Sequence, residues 1–104
     1  MPEIRRFTDE QLQHVIEQGM IYMCACPAQV AQSIRQLRQL YDYQKGCLLD
    51  EGTDHRVHEA IATTVQTAHA LMEDCMDQVL EIEQWDRTTL DMPADLRKRQ
   101  LLDI

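Results

Sequence analysis

The feature that most constrains the fold is the stretch from residue 54 to residue 85, which contains neither glycine nor proline. Apolar residues recur in it at alternating steps of four and three, the spacing of one face of an α-helix. We therefore predict one long helix over this stretch, with Thr53 as its N-cap. The predicted heptad seam consists of Ile61, Val65, Ala68, Met72, Cys75, Val79 and Ile82, and it is widened by Val57, Leu71, Met76 and Leu80.

Two shorter helices are predicted ahead of the long one, over residues 8–23 and 27–45. Thr8 is a suitable N-cap for the first, and Gln11 completes a capping box with it. Pro27 suits the first position of the second helix, because the N–H that proline lacks would have no partner there.

We predict a single all-α domain over residues 1–104. The second helix ends near Gly46 and forms an antiparallel hairpin with the third, and a short helix follows at about 94–102. The second helix is too short to cover the third, so the uncovered apolar turns need another partner, either the C-terminal tail or a second copy. We expect a homodimeric helical bundle, because association enlarges the small core of a chain of 104 residues.

The charge of the chain limits its partners. Its formal net charge is −8, with 18 acidic and 10 basic residues, which argues against nucleic acid as a ligand, since that needs a basic surface. No apolar run approaches the roughly 18 residues that span a bilayer, so no membrane partner is expected. The first residues are not followed by the apolar segment of a secretory signal, and we expect a cytoplasmic protein.

An acidic row marks the end of the predicted long helix. It consists of Glu73, Asp74, Asp77, Glu81 and Glu83. Carboxylates at a helix C-terminus oppose the helix dipole. We therefore expect a cationic neighbour, either Arg97, Lys98 and Arg99 of the tail or a basic protein partner. The alternative is a solvated acidic face.

Cys24 and Cys26 lie one residue apart, directly before Pro27. A helix N-terminus favours a thiolate, the form that ligates metals and attacks disulfides. In an antiparallel hairpin that turns at residues 46–53, facing residues have numbers that add up to about 99 or 100, which brings Cys24 close to Cys75. The thiols of Cys24, Cys26 and Cys75, with methionines around them, predict a site for a soft or borderline metal ion, Cu(I) or Zn²⁺. The alternatives are a redox pair in which Cys26 attacks, and inert core cysteines.

A weaker candidate metal cluster at the hairpin turn consists of Cys47, His55 and His58. His-x-x-His places two imidazoles on one side of a helix, and a cysteine in the preceding loop supplies a third ligand. The alternative is a solvated helix start whose histidines titrate near neutrality. His69 and Glu73, at i and i+4, can also share one ion, whereas His14 is expected to face solvent and is assigned no role.

Catalytic motifs are not found in the sequence. It has no glycine-rich phosphate loop and no serine nucleophile elbow, so an enzyme is the less favoured class. Two functional hypotheses remain. The first is a thiol-dependent metal-binding or redox-sensing module. The second is a non-catalytic dimeric structural or adaptor protein that binds a basic protein partner through the acidic long helix.

Overall fold

A computed structural model of the chain describes residues 4–22, 26–48 and 55–94. These residues form three α-helices and no β-strand: α1 spans Asp9–Tyr22, α2 spans Cys26–Cys47 and α3 spans His55–Glu83. The predicted all-α fold is confirmed. The predicted helix at 94–102 lies outside the described residues except for its first residue. None of the described helices is both long enough and apolar enough to cross a membrane.

The start of α1 has the predicted capping box. The backbone N–H of Gln11 donates to Thr8 Oγ1 at 3.0 Å, and the backbone N–H of Thr8 donates to Gln11 Oε1 at 2.8 Å. Two N–H groups that the helix itself cannot satisfy thereby gain acceptors. Phe7 and Leu12, on either side of the cap, are buried in the same apolar cluster, which fixes the angle at which the chain enters α1.

The end of α3 is a left-handed cap formed without glycine. Gln84 has a φ of 60°. Its N–H donates to the Glu81 carbonyl at 3.1 Å, and the N–H of Trp85 donates to the Leu80 carbonyl at 3.0 Å. This pair of bonds is the Schellman motif, and the apolar contact that accompanies it is present, because Trp85 and Leu80 are buried in one cluster.

Helices α2 and α3 pack as an antiparallel hairpin. Gln44 Oε1 lies 2.6 Å from His58 Nδ1, and further from the turn Arg38 Nε lies 3.0 Å from His69 Nε2. The numbers of these paired residues add up to 102 and 107, higher than the 99 or 100 expected from the sequence. One cause is that α2 does not end at Gly46 but continues to Cys47, which moves the turn along the chain.

The buried stripe of α3 differs from the predicted heptad seam. Its buried residues are Ala62, Val65, His69, Glu73, Met76 and Leu80. Val65 is the one buried member of the seven seam residues, and Met76 and Leu80, predicted to widen the seam, are buried as well. The other six seam residues are half-buried or exposed. The helix is rotated because two polar residues, His69 and Glu73, face the buried Arg38 of α2.

The orientation of α3 predicts that truncating two neighbouring apolar residues has very unequal effects on stability. Leu80 is 0 % exposed and Ile82, on the sequence-predicted seam, is 78 % exposed. Leu80→Ala is expected to lower the free energy of unfolding by about 2–5 kcal/mol through lost contacts and a cavity. Ile82→Ala is expected to change it by less than about 0.5 kcal/mol. Urea denaturation at low protein concentration measures both, and comparable losses would contradict the described orientation of α3.

Candidate functional site

A buried arginine lies at the centre of the molecule. Arg38 of α2 is 3 % exposed. Its Nη2 donates to the Phe7 carbonyl at 2.6 Å and to Glu73 Oε2 at 3.2 Å, and its Nη1 donates to Asp9 Oδ1 at 2.7 Å. A single side chain thus joins the segment before α1, the first turn of α1 and the middle of α3. A buried charge is tolerated only with such partners.

Glu73 of α3 is the anion of this network and is 1 % exposed. Besides Arg38, its Oε2 accepts the backbone N–H groups of Arg6 and Phe7, at 2.8 and 3.1 Å. The carboxylate therefore holds the segment that leads into α1 against α3. The sequence grouped Glu73 with exposed acidic residues, and the structure separates it from them.

His69 completes the buried network, and its hydrogen bond to Arg38 assigns the tautomer of its ring. Arg38 Nε donates to His69 Nε2 at 3.0 Å, so that ring nitrogen carries a lone pair. The ring proton of the neutral imidazole is assigned to Nδ1, which faces Glu73 Oε1 at 3.6 Å. The sequence suggested that His69 and Glu73 share a metal ion. In the structure, the cation that both side chains contact is the Arg38 guanidinium.

Of the remaining acidic row of α3, Asp74, Asp77 and Glu81 lie against arginines of the same chain, and Glu83 accepts the Trp85 Nε1–H at 2.8 Å. Arg6 Nη2 donates to Asp74 Oδ1 at 2.6 Å and Arg6 Nη1 donates to Asp77 Oδ2 at 3.0 Å. The hydrogen bond to Asp74, with the nearby carboxylates, raises the pKa of Arg6 above its usual value. Arg87 also pairs with Asp77 and lies 3.9 Å from Glu81. Arg6 and Arg87 therefore supply the cationic neighbour that the sequence predicted. The predicted tail residues 97–99 lie outside the described residues.

The candidate thiol site is described in part. Cys26 is the exposed first residue of α2, Cys75 is half-buried in α3, and neither forms a disulfide. Extending the observed hairpin register to the start of α2 places Cys26 level with residues near 81, about 9 Å along α3 from Cys75. Cys24 lies outside the described residues, so the site of Cys24, Cys26 and Cys75 stays a prediction.

The second candidate cluster is spread along the hairpin turn. Cys47 is half-buried at the end of α2, His55 is exposed at the start of α3, and His58 lies against Gln44. Within residues 4–22, 26–48 and 55–94, no group of three or more His, Cys, Asp or Glu side chains is placed to hold a metal ion. The described structure does not bring Cys47, His55 and His58 together as a three-ligand site, and metal binding by them stays an untested prediction.

A groove of about 600 Å³ runs between α1 and α2. Its lining carries both signs of charge, including the ion pairs Arg38–Asp9 and Arg5–Asp42. His14, expected to face solvent without a role, lies at this groove with Nε2 2.6 Å from Asp91 Oδ1. That hydrogen bond is the main reason why the pKa of Asp91 is below its usual value. The pair holds residues 86–92 against α1.

The opposite side of the molecule has an uncharged face made by α2 and α3. The α3 half consists of Val57, Ala60, Ile61, Thr64, Ala68, Leu71, Met72, Cys75, Gln78, Val79 and Ile82. The α2 half consists of Cys26, Gln29, Val30, Ser33, Gln36, Leu37, Leu40, Tyr43 and Cys47. At 100° per residue, each half covers about 120–140° of its helix. This uncharged face contains no Asp, Glu, Lys, Arg or His, and every member is exposed or half-buried.

The two halves of the uncharged face are continuous. Leu37 of α2 and Ile61 of α3 both pack against the small buried cluster around Tyr41. Val30 of α2 and Met72 of α3 both pack against the main core. The exposed and half-buried residues of the predicted α3 seam therefore belong to a surface that also includes residues of α2. The charged residues of α2 recur at helical spacing, and this pattern could have revealed the α2 half of the uncharged face. The sequence-based prediction did not include it.

Comparison with protein-family models, with curated proteins and with solved structures finds no match to this chain.

The buried network predicts a large difference between adjacent carboxylates. Glu73→Gln leaves the buried guanidinium without its buried counter-ion and is expected to lower the free energy of unfolding by about 3–5 kcal/mol. Asp74→Asn, at an exposed partner of Arg6, is expected to lower it by less than about 1 kcal/mol. Denaturant titration of both variants measures the difference.

A double-mutant cycle tests whether the loss belongs to the pair. Arg38→Met combined with Glu73→Gln is expected to give an interaction energy above about 1 kcal/mol, because the two side chains share one network. Equal losses for Glu73→Gln and Asp74→Asn would show that Glu73 does not hold the network together.

Proposed function

We propose that this chain is a non-catalytic helical interaction module that binds another protein through its uncharged face. One observation carries the proposal. The chain has 28 charged residues, 18 acidic and 10 basic, yet one side of two packed helices contains none of them. A solvated helix face ordinarily carries charged and polar side chains. Charged residues are also depleted at the centres of protein interfaces.

The apolar content of the face supports this interpretation. Leu71 is 63 % exposed, and Val57, Leu40 and Ile82 are exposed on the same face. Soluble monomers rarely expose contiguous apolar patches larger than a few hundred Å², and larger ones mark interaction sites. In this proposal the predicted seam residues of α3 still form an interface, but with a partner other than the three described helices.

Ion pairs within the chain disfavour the binding of a basic partner to the acidic row. Asp74 and Asp77 already form ion pairs with Arg6, and Glu73 is buried. A basic partner would have to compete with these internal pairs, which lie beside the buried network. We therefore assign binding to the uncharged face and not to the acidic row, which was the surface of the alternative hypothesis from the sequence.

Binding of a neutral apolar dye such as Nile red tests the proposed face at low protein concentration. Leu71→Glu is expected to remove most of the dye fluorescence, while the unfolding free energy changes by less than about 0.5 kcal/mol, because this side chain is outside the core. Ile21→Glu is the matched control, since Ile21 is 65 % exposed on α1. It is expected to keep the dye signal.

Two results would overturn the proposed function. The first is a wild-type chain that does not bind the dye. The second is a loss of about 2 kcal/mol or more in dilute Leu71→Glu, which would mean that the face is core covered by the chain itself.

A second candidate function is the thiol-dependent module, because Cys26 and Cys75 both belong to the uncharged face. With Cys24 they would offer soft ligands to Cu(I) or Zn²⁺. Titration of reduced protein with Zn²⁺ and with Cu(I) is expected to give a dissociation constant below about 1 μM that weakens at least tenfold in Cys26→Ser. Cys47→Ser is the control. Weaker binding in the wild type, or equal binding in both variants, would overturn this candidate.

A further inference from the structure

We infer that the partner on the uncharged face is a second copy of this chain, so that two α2–α3 hairpins form a four-helix bundle about a two-fold axis. This inference rests on the proposed function of that face. It names the partner, which the proposed function leaves open.

Charge is the first argument for a second copy. A two-fold interface uses the same patch on both subunits, so the patch must be complementary to itself. A patch with charges of one sign repels its copy, and two copies with a net charge of −8 already repel each other. A face without charge adds nothing to that repulsion, and only its apolar surface contributes to association.

The placement of the charges on α2 and α3 supports the same conclusion. Those of α2 include Arg35, Arg38 and Asp42, which line the groove toward α1. Those of α3 include Asp74 and Asp77, which are held by Arg6 beside the same N-terminal segment. These charged residues of both helices thus lie on the α1 side. The uncharged face lies on the side of the hairpin away from α1, where a fourth and a fifth helix have room to pack.

The C-terminal tail is a poorer match for this face. Its last ten residues include Asp95, Arg97, Lys98, Arg99 and Asp103. The described chain also approaches the tail along α1, where His14 lies against Asp91 and Gln18 Oε1 accepts the backbone N–H of Met92 at 2.9 Å. The tail therefore begins on the α1 side and carries charges that the uncharged face does not match.

The size of the face fits a stable dimer. The 22 residues of α2 extend about 33 Å, and two packed helices present a width of about 20 Å. The face therefore offers roughly 650 Å² per copy, close to the roughly 800 Å² per partner of a standard interface. The seam residues of α3 also recur at the heptad spacing that allows helices to pack side by side over such a length.

Sedimentation velocity over a range of concentrations tests the inference with the full chain. The wild type is expected to sediment as a dimer of the 12.2 kDa chain. Leu71→Glu is expected to weaken association more than about tenfold, because it buries like charges near the two-fold axis. Ile21→Glu, on α1, is expected to leave association unchanged. A mixture of Leu71→Glu with Leu71→Lys is expected to restore dimers that neither variant forms alone.

Salt dependence separates a second copy from a basic partner. Raising ionic strength from about 0.01 M to about 0.15 M shortens the Debye length from about 30 Å to about 8 Å and screens the repulsion between two acidic copies. Dimerisation is therefore expected to strengthen with salt, whereas an ion-paired complex would weaken.

The outcomes distinguish this inference from the proposed function. A chain that stays monomeric while still binding the apolar dye through Leu71 would overturn the second copy as partner and leave the proposed function standing. A monomer that also fails to bind the dye would overturn both. A dimer that persists in Leu71→Glu would place the interface elsewhere and would also overturn this inference.

Discussion

The fold depends on the burial of one guanidinium. Arg38 has more N–H groups than any single acceptor can satisfy, and away from water each of them needs a partner. Glu73, His69 and the Phe7 carbonyl lie at 2.6–3.2 Å from it, and they come from α3 and from the segment before α1. A rearrangement of any of these elements would leave a buried charge without its partners, so the network fixes how all three helices meet.

That requirement also decides which side of α3 faces the core. If the apolar seam packed against α2, His69 and Glu73 would turn away from Arg38. The gain from burying a few more apolar side chains, at about 1.5–3 kcal/mol each, competes with the several kcal/mol of an unpaired buried charge. The buried stripe therefore mixes polar and apolar residues. The seam, still apolar, is displaced to the side and becomes the larger part of the uncharged face.

The sequence was informative where structure is local. The capping box of Thr8 and Gln11 and the helical periodicity of α3 depend on neighbours a few residues apart, and both are present. The Arg38 network was missed because its members are 31 and 35 residues apart along the chain and because arginine and glutamate are almost never fully buried unless paired. Periodicity identified an apolar stripe on α3, and only a tertiary constraint could tell which partner that stripe has.

The core network and the uncharged face are two results of one segregation of charge. Arg6, Arg38 and the acidic residues of α3 neutralise one another on the α1 side, so the other side is free of charge without leaving those groups unpaired. Cys26, Cys47 and Cys75 fall on this second side. The two candidate functions therefore share a surface and are linked by mass action. Any ligand that the thiols hold in the free chain competes with association, and any ligand that they hold between two copies strengthens it.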